Sequence, residues 1–205
     1  MLRGLWLVHP DLEAEAAFDR RFKGLPGVRI VRGRFEDLGP HDCFVTAGNA
    51  FGIMTAGIDA AVIARLGDDL MARVQHRILD DYFGEQPVGT AFVLPTGDAS
   101  IPFLCHAPTM RVPGGIEGTD KVYCATWAAL LAIHAHNRAG VDAPIEVAAL
   151  PAMGTGFGGV PFDEAARQMA AAYRNFLDPP HRLDWDFVAH RQRSVCYDGN
   201  RQVAR

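Results

Sequence analysis

The chain has 205 residues, of which 49% are hydrophobic and 21% are charged. These proportions indicate a globular chain with a buried core, and they exclude a fibrous or disordered polypeptide. The formal net charge of −4 excludes a broad basic surface that would hold nucleic acid by its phosphates. The sequence has no signal-peptide pattern and no apolar run of membrane-spanning length. We therefore expect a soluble, cytoplasmic protein that makes no membrane contact and forms one domain over residues 1–205.

The four cysteines are scattered along the chain, at Cys43, Cys105, Cys124 and Cys196. Their spacing matches no zinc-binding pattern and is too sparse for a disulfide framework. Reduced thiols are the interpretation that this spacing favours. We expect neither a bound metal nor a cofactor.

Short apolar runs alternate with amphipathic segments from the N-terminus onward. Six runs predict strands: Leu5–His9, Val28–Gly33, Asp42–Gly48, Thr90–Thr96, Pro102–Thr109 and Ile145–Ala152. Four segments with apolar residues at helical spacing predict helices: Leu12–Phe22, Ile58–Phe83, which Gly67 should divide, Lys121–His136 and Phe162–Leu177. A last short strand is possible at Asp184–His190, with Trp185 in the core.

Alternating strands and helices predict an α/β fold. We expect a three-layer α/β/α sandwich with a mixed, largely parallel central sheet. The run Ile145–Ala152 is continuously apolar, which is typical of a central strand covered on both faces. The core should span about residues 28–177, with an N-terminal strand and helix before it and a C-terminal extension after it.

Two connections between a strand and the following helix are unusually rich in glycine. The first runs from Gly48 to Gly57 and the second from Gly154 to Gly159. Glycine lets backbone N–H groups converge, and the start of a helix adds positive potential, so such loops can bind phosphate without Lys or Arg. Each loop leaves the carboxyl end of a predicted strand, and two such loops facing each other could hold a diphosphate. The spacing matches neither the Walker A motif nor the dinucleotide fingerprint.

Two polar side chains in and after the first loop narrow the chemistry. Asn49 offers donors and an acceptor suited to sugar hydroxyls. Asp59 stands in the first turn of the predicted helix, where the helix dipole should keep a carboxylate ionised. Asp59 either caps the helix or orients a water molecule or a ribose hydroxyl.

The segments Val45–Val62 and Leu150–Pro161 resemble the two ligand loops of the macrodomain family. The stretches AFGIM, GID and APTMRVP are more narrowly similar to a bacterial and phage branch of that family. The resemblance implies binding of ADP-ribose, with Asn49 on the distal ribose and Asp59 in the place of the acid of the hydrolases. It also implies that a backbone cradle holds the diphosphate, formed by Gly57, Ile58, Gly154, Thr155, Gly156, Phe157 and Gly158.

The chain departs from the family pattern at three places. Arg34 stands where the family carries the Asp that holds the adenine amino group. Glu36 or Asp37 could replace that Asp, or Phe35 could stack on the base. The aromatic of the second loop is displaced to Phe157, directly after Gly156, and Ile63 stands where the hydrolases have a His one turn beyond the acid.

Two classes of function follow from the resemblance. The first is an enzyme that removes ADP-ribose from a modified target or from O-acetyl-ADP-ribose, with Asp59 and Asn49 as its catalytic residues. The second is a reader that binds ADP-ribose or a related nucleotide without turnover. The expected partner is ADP-ribose or an ADP-ribosylated target, and nucleic acid enters only as a modified substrate. His106 is either structural or close to the site, and Arg111 either meets a phosphate or faces water.

Overall fold

A computed structural model describes residues 2–195 and shows six strands, six α-helices and one 3₁₀ turn within them. The strands are β1 (Gly4–His9), β2 (Val28–Arg32), β3 (Cys43–Thr46), β4 (Phe92–Pro95), β5 (Phe103–His106) and β6 (Val147–Pro151). The helices are α1 (Leu12–Arg21), α2 (Gly57–Leu66), α3 (Asp69–Tyr82), α4 (Lys121–Ala139), α5 (Phe162–Leu177) and α6 (Trp185–Val195). The 3₁₀ turn is Phe35–Asp37.

The six strands form one sheet in the order β2-β1-β6-β3-β5-β4. All neighbouring pairs are parallel except β4 and β5, which run antiparallel at one edge. One face of the sheet packs against α1, α4 and α5, and the other packs against α2, α3 and the 3₁₀ turn. The predicted three-layer α/β/α sandwich with a mixed, largely parallel sheet is therefore confirmed.

The central strand and the divided helix are both found where the sequence predicts them. β6 lies between β1 and β3, and four of its five residues are buried. The long predicted helix ends at Leu66 because Gly67 takes φ of 105°, a conformation that other residues rarely adopt. α3 then begins and buries a stripe formed by Leu70, Val74 and Ile78.

The predicted strand at Asp184–His190 is wrong, because this segment begins helix α6. The Asp184 carboxylate accepts the N–H of Phe187 at 2.9 Å, which caps the first turn. The helix lies against α5, where Arg167 donates to the Ser194 carbonyl at 2.8 Å. Trp185 is 55% exposed, so its expected place in the core is wrong as well.

The described cysteines are all free thiols. Cys43 and Cys105 are buried in the sheet and Cys124 is half-buried, while Cys196 lies outside the described residues. Across residues 2–195, no three His, Cys, Asp or Glu side chains lie close enough together to hold a metal ion. In the same part of the chain, no helix combines the length and the apolar character that a membrane span requires.

Candidate functional site

A cavity of about 590 Å³ lies at the edge of the sheet where the parallel strands have their carboxyl ends. The segments that follow β1, β2, β3, β5 and β6 all contribute to its wall. The first glycine loop (Gly48–Gly57) follows β3, and the second glycine loop (Gly154–Gly159) follows β6, the neighbour of β3 in the sheet. All the residues predicted for the site line this one cavity: Phe35, Asn49, Gly57, Ile58, Asp59, Gly154, Thr155, Gly156, Phe157 and Gly158.

The second glycine loop presents a row of free backbone donors. Its own turn is closed by N–H groups further on, since Gly159 donates to the Gly156 carbonyl at 3.0 Å and Val160 to that of Gly154 at 3.1 Å. The N–H groups of residues 155–158 donate to no acceptor among the described residues. Successive free N–H groups in a turn form a concave site for anions.

The first glycine loop ends in a second set of free donors. Helix α2 begins at Gly57 after Ala56, whose side chain cannot cap it. Within residues 2–195, the N–H groups of residues 57–59 have no acceptor. The start of a ten-residue helix therefore faces the cavity with its donors and its positive end.

The glycines of the two loops differ in what surrounds them. A Cβ on Gly158 would lie 2.3 Å from the Gly154 carbonyl oxygen, and one on Gly154 would lie 2.7 Å from Val122. These two glycines are required by protein packing. A Cβ on Gly57 or Gly156 would meet no described atom within 4 Å, and both residues line the cavity. Gly57 has a positive φ of 57°, which favours glycine at that position. Gly156 has neither a positive φ nor a close protein neighbour.

The side chain of Asn49 organises the first glycine loop. Its Nδ2 donates to the Ile53 carbonyl at 2.8 Å, and its Oδ1 accepts the N–H groups of Phe51 at 3.1 Å and Ile53 at 3.3 Å. These bonds use both lone pairs of Oδ1 and one of the two amide protons. Asn49 therefore retains one donor for a ligand, whereas the sequence predicts donors and an acceptor.

Asp59 is buried at the start of α2, with 7% of its surface exposed. The Thr46 hydroxyl, at the end of β3, donates to Oδ1 of Asp59. Burial raises the pKa of Asp59 to about 6, and the bond from Thr46 opposes that rise. The sequence predicts stabilisation of the Asp59 carboxylate by the helix dipole, and the structure adds a desolvation that opposes its ionisation. At pH 7 about nine-tenths of Asp59 is still ionised.

The end of the cavity beside β2 is lined by aromatic and charged side chains. Phe35 packs its ring against that of Phe44, with centroids 4.3 Å apart, and is only 2% exposed. So little of Phe35 is exposed that the predicted stacking of its ring face on a base is not available. The rings of His9 and Phe162 meet edge to face at 4.8 Å and also line this end. Their position in two separate segments hides them from sequence patterns.

His106 is fully buried behind the first glycine loop. Its Nδ1 bonds to Oε1 of Gln86 at 2.6 Å, and burial lowers its pKa to about 4, so the ring is neutral at pH 7. A Cβ on Gly48 would lie 2.5 Å from Nε2 of His106, so the ring supports the loop backbone from behind. Arg111 makes two bonds to the Glu85 carboxylate, at 2.7 and 2.9 Å, and lies over the ring of Phe51.

The family model described as Macro domain matches residues 45–169, a span that includes both glycine loops. The chain belongs to the macrodomain family. An uncharacterized protein of Aquifex aeolicus is 33% identical over 149 residues, which cover 73% of this chain and 82% of that protein. The chain spans a smaller part of other relatives: 42% of an Aeropyrum pernix protein and 28% of a Thermotoga maritima protein.

Solved macrodomain structures share the fold of this macrodomain at low sequence identity. A macrodomain mutant from Oceanobacillus iheyensis with ADP-ribose has a TM-score of 0.57 and 18% identity, covering 67% of this chain and 72% of that one. The macrodomain of Mycobacterium tuberculosis DarG has a TM-score of 0.57 and 19% identity, covering 70% and 87%. The fold is therefore shared with a macrodomain that was solved with ADP-ribose.

Proposed function

We propose that the cavity binds ADP-ribose and that the protein removes ADP-ribose from a modified target. The observation that carries the proposal is the pair of free N–H arrays, at residues 57–59 and 155–158, which follow the adjacent parallel strands β3 and β6. A diphosphate between them would accept hydrogen bonds from both sides and would lie at the positive end of α2. The solved Oceanobacillus iheyensis macrodomain with ADP-ribose supports this choice of ligand.

The remaining parts of the ligand would extend to either side of the two loops. Toward β5, the free amide proton of Asn49 is available to a hydroxyl of the distal ribose. Gly156 would let the distal ribose or the diphosphate approach the loop backbone closely, since no protein atom lies within 4 Å of the position that a Cβ would occupy. Toward β2, the nucleoside would lie beside His9 and Phe162.

Asp59 is the group that would act on water in the proposed reaction. A water molecule attacks the anomeric carbon of the distal ribose, the bond from that carbon to the target breaks, and the target leaves with its electron pair. Asp59 orients the water and accepts its proton, which then passes to the leaving target. A carboxylate with a pKa of about 6 is a better general base than an ordinary Asp and is still ionised at pH 7. Thr46 fixes the carboxylate through its hydrogen bond.

The first experiment is a calorimetric titration with ADP-ribose, using AMP and ribose 5-phosphate as fragments. We expect micromolar binding of ADP-ribose and at least tenfold weaker binding of each fragment, because each fragment reaches only one side of the two loops. Equal affinity for AMP and ADP-ribose would contradict a site that spans both loops.

Turnover is then measured with an auto-ADP-ribosylated protein and with O-acetyl-ADP-ribose. We expect Asp59→Asn to slow release of ADP-ribose by about 10²–10⁴-fold while ADP-ribose binding persists. Asp68→Asn is the matched control, since Asp68 is exposed at the start of α3 and does not line the cavity. An Asp59→Asn protein with unchanged turnover would overturn the assignment of the base.

A reader of ADP-ribose without turnover is the second candidate function. Two observations favour it. One oxygen of Asp59 already accepts a hydrogen bond from Thr46, and Ile63 occupies the next turn of α2, where the hydrolases carry a His. A reader would bind ADP-ribose as tightly as the enzyme but release none from either substrate. The same two assays therefore distinguish the candidates.

A further inference from the structure

Two charged side chains of opposite sign stand at the end of the cavity beside β2. Arg34 and Glu36 are exposed on the turn that follows β2, and both line the cavity. Neither takes part in an ion pair within residues 2–195. The buried ring of Phe35 stands between them in sequence and fixes this turn against Phe44. The two charges are thus held on an anchored turn and remain available to a ligand.

This end of the cavity is where a nucleoside would lie. In the sheet, β2 stands four strands away from β5, and strands are spaced by about 4.8 Å, so the two ends are about 19 Å apart. The two free N–H arrays lie between these ends. A nucleotide with its diphosphate on the arrays and its distal ribose toward β5 therefore places its base against His9 and Phe162, with Arg34 at its edge.

The chemistry of this edge differs from what adenine offers. Adenine presents N7 and its amino group, one acceptor and one donor, whereas guanine presents O6 and N7, two adjacent acceptors. Arginine is the side chain that most often pairs with O6 and N7 of guanine, through two parallel hydrogen bonds. A carboxylate beside it can accept the N–H at position 1 and the amino group at position 2.

The charge of the turn decides between a base and an additional phosphate as the partner of Arg34. The backbone N–H of Arg34 donates to the Asp37 carboxylate at 3.3 Å, so a second acid stands beside Glu36. One Arg and two carboxylates give the turn a net charge of −1, which repels an added phosphate. The neutral edge of a base, which carries both acceptors and donors, suits Arg34 and its neighbouring carboxylates better than a phosphate does.

We propose that Arg34 and Glu36 select a 6-oxopurine base, so that the cavity binds GDP-ribose or IDP-ribose more tightly than ADP-ribose. Arg34 donates to O6 and N7, and Glu36 accepts from N1. The inference rests on the proposed function, since it places the diphosphate on the two glycine loops. It adds the base specificity of that site.

The test is a set of calorimetric titrations with ADP-ribose, GDP-ribose, IDP-ribose and 2′-phospho-ADP-ribose. We expect GDP-ribose and IDP-ribose to bind about tenfold more tightly than ADP-ribose. Arg34→Gln should remove that preference, because it should weaken the binding of GDP-ribose and IDP-ribose about tenfold more than that of ADP-ribose. Arg138→Gln is the matched control, because Arg138 is exposed at the end of α4 and does not line the cavity.

The outcomes separate this inference from the function on which it rests. Binding of ADP-ribose with equal or weaker binding of GDP-ribose overturns the base specificity and leaves the proposed function standing. Preference for 2′-phospho-ADP-ribose that depends on Arg34 overturns the base as its partner. If no diphosphate riboside binds at millimolar concentration, the proposed function itself fails. A preference for GDP-ribose that Glu36→Gln also reduces supports both residues in their assigned roles.

Discussion

The two glycine loops leave adjacent strands and face the same cavity, yet they are built differently. Side chains hold the first glycine loop: the amide of Asn49 makes three hydrogen bonds within it, and the ring of His106 supports it from behind. Backbone holds the second, where Gly159 and Val160 close the turn and Gly158 packs against the Gly154 carbonyl. The second loop thus offers an anion little besides N–H groups.

The difference separates positioning from chemistry. A cradle made of backbone has few rotatable groups, so it loses little entropy when a phosphate arrives. A loop held by side chains can also deliver a carboxylate, and the first glycine loop leads directly into Asp59. The predictions below test this division of roles, from the largest expected effect on the free energy of unfolding to the smallest.

Gly158→Ala should have the largest effect, because the new Cβ would lie 2.3 Å from a carbonyl oxygen that cannot move without opening the loop. We expect the free energy of unfolding to fall by about 3 kcal/mol, as for an overpacked core position. Urea denaturation measures it. If the variant is as stable as the original protein, the second loop is not held by backbone packing.

Asn49→Ala should lower the free energy of unfolding by about 2 kcal/mol, because it removes three hydrogen bonds and leaves the Ile53 carbonyl without its donor. Asn49→Ser is the informative companion, since its hydroxyl can accept one of the two N–H groups but cannot also donate to the Ile53 carbonyl. We expect its free energy of unfolding, measured by denaturant titration, to lie between those of the original protein and of Asn49→Ala. Equal stability of all three proteins would show that side chains do not hold the first loop.

Asp59→Asn should stabilise the protein at pH 8, by about 1–2 kcal/mol. The pKa of Asp59 is raised from 3.8 to about 6, so the folded state binds the proton more tightly than the unfolded state. The stability that comes from the protonated group is fully present below about pH 4 and is lost as the pH rises through about 6, at most about 3 kcal/mol in all.

The pH dependence of that difference is the measurement. We expect the gap between Asp59→Asn and the original protein to be large at pH 8 and to close toward pH 4. His106 has a pKa lowered to about 4 and therefore destabilises the fold in acid, but it is present in both proteins and cancels in the difference. If the difference in the free energy of unfolding does not change with pH, ionisation of Asp59 does not destabilise the fold.

Gly156→Ala should leave the free energy of unfolding within about 0.5 kcal/mol of the original, since its Cβ would meet no described atom and its φ is ordinary. Affinity for ADP-ribose should nevertheless fall about tenfold or more, because the methyl group projects where the ligand approaches. The pair Gly156→Ala and Gly158→Ala therefore separates ligand contact from packing. Unchanged affinity in Gly156→Ala would remove the ligand from this part of the loop.

Most of the fold follows from local patterns. Apolar runs bounded by Gly and Pro predicted the strands, and the apolar stripe of α3 appears at the spacing that predicted it. The failure at Asp184–His190 also has a local cause, since Asp184 caps a helix there and the apolar residues face α5 or solvent. A capping residue before a short apolar segment was the signal that the strand prediction missed.

The composition of the site was predictable, but its electrostatics were not. Glycine-rich segments after buried strands predicted which loops would line the cavity, because parallel strands end at one edge of a sheet. Burial raises the pKa of Asp59, and the hydrogen bond from the Thr46 hydroxyl, thirteen residues away in sequence, opposes that rise. Likewise, the glycines that packing requires could not be told from those that face the open cavity until their neighbours were known.

The sequence by itself therefore determined the layered α/β architecture, the two glycine loops and the identity of the acid beside them. These depend on periodicity and backbone freedom, which are local properties of a chain. The tertiary structure alone decided that Asn49 is committed mainly to its own loop, that Phe35 is almost fully buried, and that burial raises the pKa of Asp59 to about 6. Burial and hydrogen-bond partners come from residues distant in sequence, and they set the free energy of a charge.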